Sequence, residues 1–222
     1  MKILLGDPRH DTVGTHSSYV PINIGYISTY LTKMIPDTNL DIKIVTQTKE
    51  IFDLIENLKP DVIGLSNYVW NSTLSNRMCE IAKEQNPDIL SILGGPEFPA
   101  GTGSRKIQDT ERDKTYTKSF NYLKERPAVD YFAYSDGEVV FFEIIKDFIK
   151  KNNSVKAMKK DDKPFKGCAS LSNNKEVLLV GDYIPRLGMD GSVKAEGRDE
   201  IPSPYLSGIL DKFLNGKYVP AF

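Results

Sequence analysis

The chain has 222 residues, enough for one large domain or one domain with an appendage. Apolar residues make up 40% of it, sufficient for a core, and 29 basic against 30 acidic side chains leave a net charge of −1, so nucleic acid is not an expected partner. No apolar run is long enough for a signal sequence or a membrane span. Two cysteines, Cys79 and Cys168, make neither a disulfide framework nor a metal-ligand spacing. The expected location is therefore the cytoplasm.

In chain order, residues 2–5 read as a strand, and 22–35 as a helix carrying Ile24, Ile27, Leu31 and Met34 at helical spacing. Residues 41–45 form a second strand, and 49–58 a helix ended by Pro60. The uninterrupted apolar run 62–66 is a third strand, of the kind buried on both faces in parallel sheets. Asn71 or Ser72 is the expected cap of a helix with Leu74, Met78, Ile81 and Ala82 on one face. Residues 89–93 give the fourth strand and 131–134 the fifth, followed by a helix from Glu138 to about Lys150. This order predicts an α/β fold: a doubly wound, parallel five-stranded sheet filling residues 1–151. A polar insertion, 101–127, interrupts it, with a short helix expected over 116–125. Beyond 151, the segments 168–171 and 177–180 flank "SNNKE" as a β-hairpin, and the remainder reads as a linker with one helix over about 205–214.

In open α/β sheets, ligands bind beyond the carboxyl ends of the strands, where strand order reverses. Four loops lie there: 6–18, 66–70, 94–99 and 135–138. The third is "GGPEFP", the fourth "SDGE", and the second leaves its strand on Ser66. Small residues at neighbouring strand ends would leave a deep slot with backbone N–H groups and hydroxyls on its walls. A phosphoryl-receiver site would need an aspartate where Ser66 stands, and a lysine where Ser135 and Asp136 stand. A flavin mononucleotide site would suit the hydroxyl-rich "DTVGTHSS", but Tyr19 and Pro21 separate that loop from its helix. No G-x-G-x-x-G follows the first strand, which weakens a dinucleotide. Cobalamin, whose nucleotide tail needs a slot running toward the core, fits the bare strand ends.

The stretch "PDVIGLSNYVWNSTLSNRMCEIAKEQNPDILSILGGPEFP" resembles the third-to-fourth-strand region of the cobalamin-binding domain in cobalamin-dependent radical S-adenosylmethionine (SAM) proteins. "VDYFAYSDGEVVFFEII" resembles that family's fifth-strand segment, "DEIPSPYLSGILDKF" the linker into the radical SAM barrel, and "YVPAF" the last residues before its iron–sulfur motif. The resemblance covers nearly the whole chain in the family's order. It implies a cofactor-holding module, with SAM and a [4Fe-4S] cluster belonging to a barrel in cis that would start about where this sequence ends. The Cys-x-x-x-Cys-x-x-Cys motif is not in the sequence, and "DPRHDTVG" departs from the Asp-x-His-x-x-Gly signature of other cobalamin domains.

Residue roles follow from the resemblance. Ser66 would hydrogen-bond the tail's base or ribose. Gly94 and Gly95 would admit the tail and offer N–H groups, with Pro96 stiffening the turn. Val69 and Trp70 would lie against the lower corrin face, the competing reading being a tryptophan in the core, with Tyr68 packing. Gly137 would clear space for the tail, with Glu138 as a helix-capping carboxylate. Asp7, Arg9 and Thr15 would meet corrin amides. His10 and His16 sit in the corrin-facing loop at the wrong spacing, and His10 is counted with the cofactor contacts without ligating cobalt. No metal ligand is expected, no residue need act as acid, base or nucleophile, Cys79 should be core, and Cys168 inert.

Overall fold

A computed structural model describes residues 1–10, 19–99, 109–184, 201–216 and 218, with the side chains of 109–114 left aside. The parallel strands are β1 (Lys2–Arg9), β2 (Asp41–Gln47), β3 (Val62–Ser66), β4 (Leu90–Gly94) and β5 (Tyr131–Ala133). Between them run α1 (Ile22–Met34), α2 (Thr48–Leu58), α3 (Ser72–Gln85) and α4 (Asp109–Lys124), and α5 (Gly137–Lys150) follows β5.

The sheet has seven strands rather than the expected five, in the order β2-β1-β3-β4-β5-β6-β7. Strands β6 (Cys168–Leu171) and β7 (Leu178–Val180) form the anticipated hairpin, but they continue the sheet instead of hanging from it. Phe132 pairs antiparallel with Ala169, and Ala133 with Cys168. The reason is the edge of β5: an apolar three-residue strand with open hydrogen-bonding groups is covered at least cost by another strand. A short helix absent from the sequence reading, α6 (Val155–Lys159), brings the chain round, capped by Ser154 Oγ accepting from Ala157 N–H at 3.2 Å.

Period-two alternation sorts the strand side chains onto two cores. Ile3, Leu5, Val62, Leu90, Ile92 and Tyr131 face α1 and α5, against Phe141, Ile144, Ile145 and Phe148 of the latter. Leu4, Val45, Ile63, Leu65, Leu93 and Phe132 face the other way, onto Ile51 and Ile55 of α2 and Met78, Cys79 and Ala82 of α3. Helices thus cover both faces of a mostly parallel sheet, a Rossmann-like arrangement. Both cysteines are buried and free; burial pushes the Cys168 thiol up to about 12 and the Cys79 thiol higher, so neither is a thiolate at neutral pH. Among the described residues no helix is long and apolar enough to cross a membrane.

Three further expectations change. Helix α4 begins at Asp109, well before residue 116. The helix anticipated over 205–214 is a run of turns ending in a 3-10 turn, Asp211–Phe213, because Gly208 at φ +77° breaks the helical path. Leu210 and Phe213 are nonetheless buried, with Leu210 against Gly25 of α1, while Thr29 Oγ1 donates to the Pro202 carbonyl at 2.8 Å. Finally, β1 runs on to Arg9, so Asp7 and Arg9 belong to a strand end and not to a free loop.

Candidate functional site

The carboxyl ends of β1, β3, β4 and β5 open into a cavity of about 180 Å³ between the sheet and the helices α1 and α5. Its sheet wall carries Gly64, Ser66, Gly94 and Gly95; Asn23 and Ile27 come from α1, and Gly137, Glu138 and Phe141 from α5. Ser66, Gly94, Gly95 and Gly137, drawn from three separate loops in the sequence reading, therefore share one slot. Glycine in the middle of a buried strand was the missed signal for its floor. A Cβ on Gly64 would stand 2.8 Å from Phe141 Cε2 and 2.9 Å from Leu5 Cδ2, so Gly64 lets the aromatic ring close the bottom.

The adjacent glycines at the mouth serve different ends. Gly95 has φ +144°, and a Cβ there would meet the Asn67 carbonyl oxygen at 2.3 Å, so the turn itself requires glycine. Gly94 has no such constraint. Its Cβ would meet only Ala133, at 3.4 Å and beyond, and nothing across the slot. At Gly137 the nearest atom would be the flexible end of Ile27, 3.1 Å away. Bare positions facing open space, rather than packed glycines, are what a flat aromatic or sugar needs in order to enter.

A polar web ties the first strand end to the third. Ser66 Oγ donates to Asp7 Oδ1 at 2.6 Å and accepts from Asn71 Nδ2 at 3.1 Å, while Arg9 binds Asp7 Oδ2 at 2.9 Å. Asn71 also donates to the Pro8 carbonyl at 3.0 Å and accepts from Tyr68 N–H at 2.7 Å. Its side chain is thus turned back into the loop and does not cap α3, whose first turn receives no side-chain bond from it. Asp7 and Arg9 form an ion pair, with Arg9 only 8% exposed. Gly95 N–H points to the Ala133 carbonyl at 3.4 Å, a long and weak engagement. Thr15 and His16 lie outside the described residues.

Above the slot the loop after β3 presents an apolar rim. Trp70 is 59% exposed and Val69 74%, so the sole tryptophan is not a core residue. Tyr68 does more than pack: its ring stacks on Trp70 with centroids 4.5 Å apart and planes 6° from parallel, and it also lines the cavity. Burial, with the Asp7 charge, pushes the Tyr68 hydroxyl up, a hydrogen bond to Asn23 opposing it. His10 Nε2 lies 2.6 Å from the Trp70 carbonyl, so one ring nitrogen holds the rim loop.

Glu138 stands in the first turn of α5, where its carboxylate suits the helix N-terminus as expected, and it has a second place as well. The N-cap residue Asp136 makes no side-chain capping bond, and Glu138 also lines the slot. Burial pushes its carboxyl above the ordinary 4.5, Asp136 adding to the rise and its own N–H opposing it. A carboxyl raised by folding takes up a proton that the unfolded chain releases. Its share of stability is therefore present below pH 4.5 and is lost as pH climbs through the raised value. Replacing it by Glu138→Gln is expected to flatten that decline in a series of urea midpoints across pH. An unchanged slope would place the carboxyl in water.

Residues 13–106 match the B12 binding domain family. The chain is 25% identical over 203 residues, 87% of its length, to the cobalamin-dependent radical SAM methyltransferase TokK of Streptomyces tokunonensis. It is 27% identical over 157 residues, 68% of its length, to the 2-(S-pantetheinyl)-carbapenam-3-carboxylate methyltransferase of Streptantibioticus cattleyicolor. Over 153 residues, 65% of its length, it is 26% identical to the anaerobic magnesium-protoporphyrin IX monomethyl ester cyclase of Rubrivivax gelatinosus. These alignments take in 24%, 17% and 24% of the three relatives, so the chain spans a quarter or less of their lengths.

Proposed function

We propose that this chain is the cobalamin-holding module of a cobalamin-dependent radical SAM protein, and that its slot holds the cofactor in the following way. The observation that carries the reading is Gly94, whose missing side chain faces open space in the cavity, with Gly137 also on its wall and only the flexible end of Ile27 close to it. The nucleotide tail enters there, between the ends of β3, β4 and β5 and the N-terminus of α5. Gly94, Gly95, Ser66, Gly137 and Glu138 line its path, with Pro96 holding the turn behind the two glycines. Ser66 meets the tail with its remaining lone pair, or gives up Asp7 in order to donate. Val69 and Trp70 form the flat surface that excludes water from the lower corrin face, with Tyr68 stacked behind Trp70. His10 steadies that rim and does not ligate cobalt. Thr15 is proposed, with Asp7 and Arg9, at the corrin edge.

When bound, cobalamin supplies an exchangeable methyl group, and the protein supplies position and dryness. We place the chain as the cofactor-holding part of a larger methyltransferase-type enzyme, the seven-stranded sheet that ends with Val180 forming the binding domain and the segment beyond it leading toward a radical SAM barrel. SAM and the [4Fe-4S] cluster belong to that barrel.

Trp70 gives the test, because it is the only tryptophan. Hydroxocobalamin should co-elute with the purified chain and quench most of its tryptophan emission. Flavin mononucleotide should do neither. Retention of flavin with full Trp70 emission in cobalamin would point instead to a flavodoxin-like carrier, and retention of neither to an interaction domain without cofactor.

A further inference from the structure

A second cavity, of about 320 Å³, lies at the opposite pole of the sheet, beside the N-terminal ends of β4 and β5. Its wall is cationic. Lys83 comes from the last turn of α3, Lys156 and Lys159 from α6, and Lys175 from the turn between β6 and β7. Among the described residues two carboxylates, Asp88 and Asp130, line it with them, so four positive charges less two negative leave +2.

The better placed of those carboxylates is already engaged. Asp130 Oδ2 accepts from Lys83 Nζ at 2.7 Å and from Ser91 N–H and Oγ at 2.9 Å each. Lys159 has no such partner among the described residues. Its Nζ donates to the carbonyls of Asp130, at 2.6 Å, and Leu171, at 3.3 Å, and stands 4.1 Å from the centre of the Tyr131 ring. Carbonyl dipoles and a ring face orient an ammonium group but carry no full negative charge. Burial pushes the Lys159 ammonium down, Lys83 and Lys175 repel it further, and Asp130 opposes them. Charges drawn largely out of water are ordinarily paired, and this half-buried one borders an open cavity whose rim carries two exposed lysines, Lys156 and Lys175.

We propose that this cavity binds a dianionic phosphate group, free or as the monoester of a small molecule, with Lys159 on its floor and Lys156 and Lys175 closing over it. A dianion matches the +2 excess, and lysines bind phosphate oxygens as point charges without demanding one fixed geometry. A carboxylate would neutralise half of the excess. The cavity is larger than the cofactor slot, so an ester's organic part has room beside Lys83 and Leu123. The site is separate from the cobalamin slot, and neither reading depends on the other.

The test titrates the full chain with inorganic phosphate and with glycerol phosphate, chloride holding ionic strength constant. Amide resonances of residues 155–159 and 171–175 should shift and saturate, and the melting temperature should rise. Tighter binding of the ester assigns the site to a phosphorylated metabolite, and equal or weaker binding to free phosphate. The rim variant Lys156→Ala/Lys175→Ala should bind at least tenfold more weakly, and Lys159→Met not measurably. Both should keep the parent's far-ultraviolet circular dichroism and cooperative urea transition, which report an intact fold. Should Lys159→Met fail to fold, the exposed rim pair decides alone. Equal shifts from chloride, or a rim variant that binds phosphate as tightly as the parent, would overturn the proposal.

Discussion

Replacing Gly94 by leucine is expected to abolish cobalamin retention while leaving the protein folded. Residues 90, 92 and 94 alternate onto the α1 and α5 face of the sheet, where Leu90 and Ile92 are core and Gly94 opens the slot. A side chain at 94 touches only Ala133 near its root, at 3.4 Å or more, and projects into free space. Folding therefore loses little, below about 1 kcal/mol, which in a chain of this size moves the melting temperature by roughly 2–4 °C. The nucleotide tail and the leucine would claim the same volume. A loss of at least about 3 kcal/mol of binding, about a hundredfold in Kd, is the expected reading. Gel filtration with hydroxocobalamin, followed by the visible absorbance of the protein peak, measures it. If Gly94→Leu kept the parent's affinity, the tail would run elsewhere.

The neighbouring substitution should do the opposite. Gly95→Ala is expected to destabilise the fold by about 3 kcal/mol or more, the range of backbone strain joined to a buried clash. Its φ of +144° is one that side-chain-bearing residues rarely adopt, and the new methyl would press on the Asn67 carbonyl oxygen at 2.3 Å. Neither partner can step aside: Asn67 N–H is bound to the Gly94 carbonyl at 2.7 Å, and the Asn67 carbonyl accepts from Glu97 N–H at 3.4 Å. Urea unfolding at constant slope gives the number. A loss under about 1 kcal/mol would mean the turn is not the one described, and the slot's upper wall would move with it. Two adjacent glycines thus separate stability from ligand capacity, one needed by the backbone and one by the guest.

Much of the fold was legible because it depends on local chemistry. Apolar periodicity of two against 3.6 separated strands from helices, and the all-apolar 62–66 marked a strand buried on both faces. The Gly-Gly-Pro corner and the serine at 66 marked strand ends with little side chain, which pointed to the slot. What could not be read were choices made between distant segments. The hairpin 168–180 looked self-contained, yet the bare edge of β5 recruited it as the sixth and seventh strands. Residues 205–214 read as a helix, but Gly208 at φ +77° breaks that path and Leu210 is buried against Gly25 of α1.

The same division runs through the two sites. Sequence alone determined that several strand ends would be bare and that an aromatic loop would follow Ser66, because glycine, proline and serine constrain the backbone wherever they stand. Only tertiary structure decided that α1 and α5 would wall the slot, that Asp7 would accept the Ser66 hydrogen bond, that Trp70 would face outward, and that Lys159 would be half-buried without a carboxylate. Those outcomes depend on which charges and surfaces meet between segments far apart in the chain, 59 residues for Ser66 and Asp7 and 29 for Lys159 and Asp130. No local rule encodes them, since each group's free energy is set by a partner that arrives only when the sheet closes.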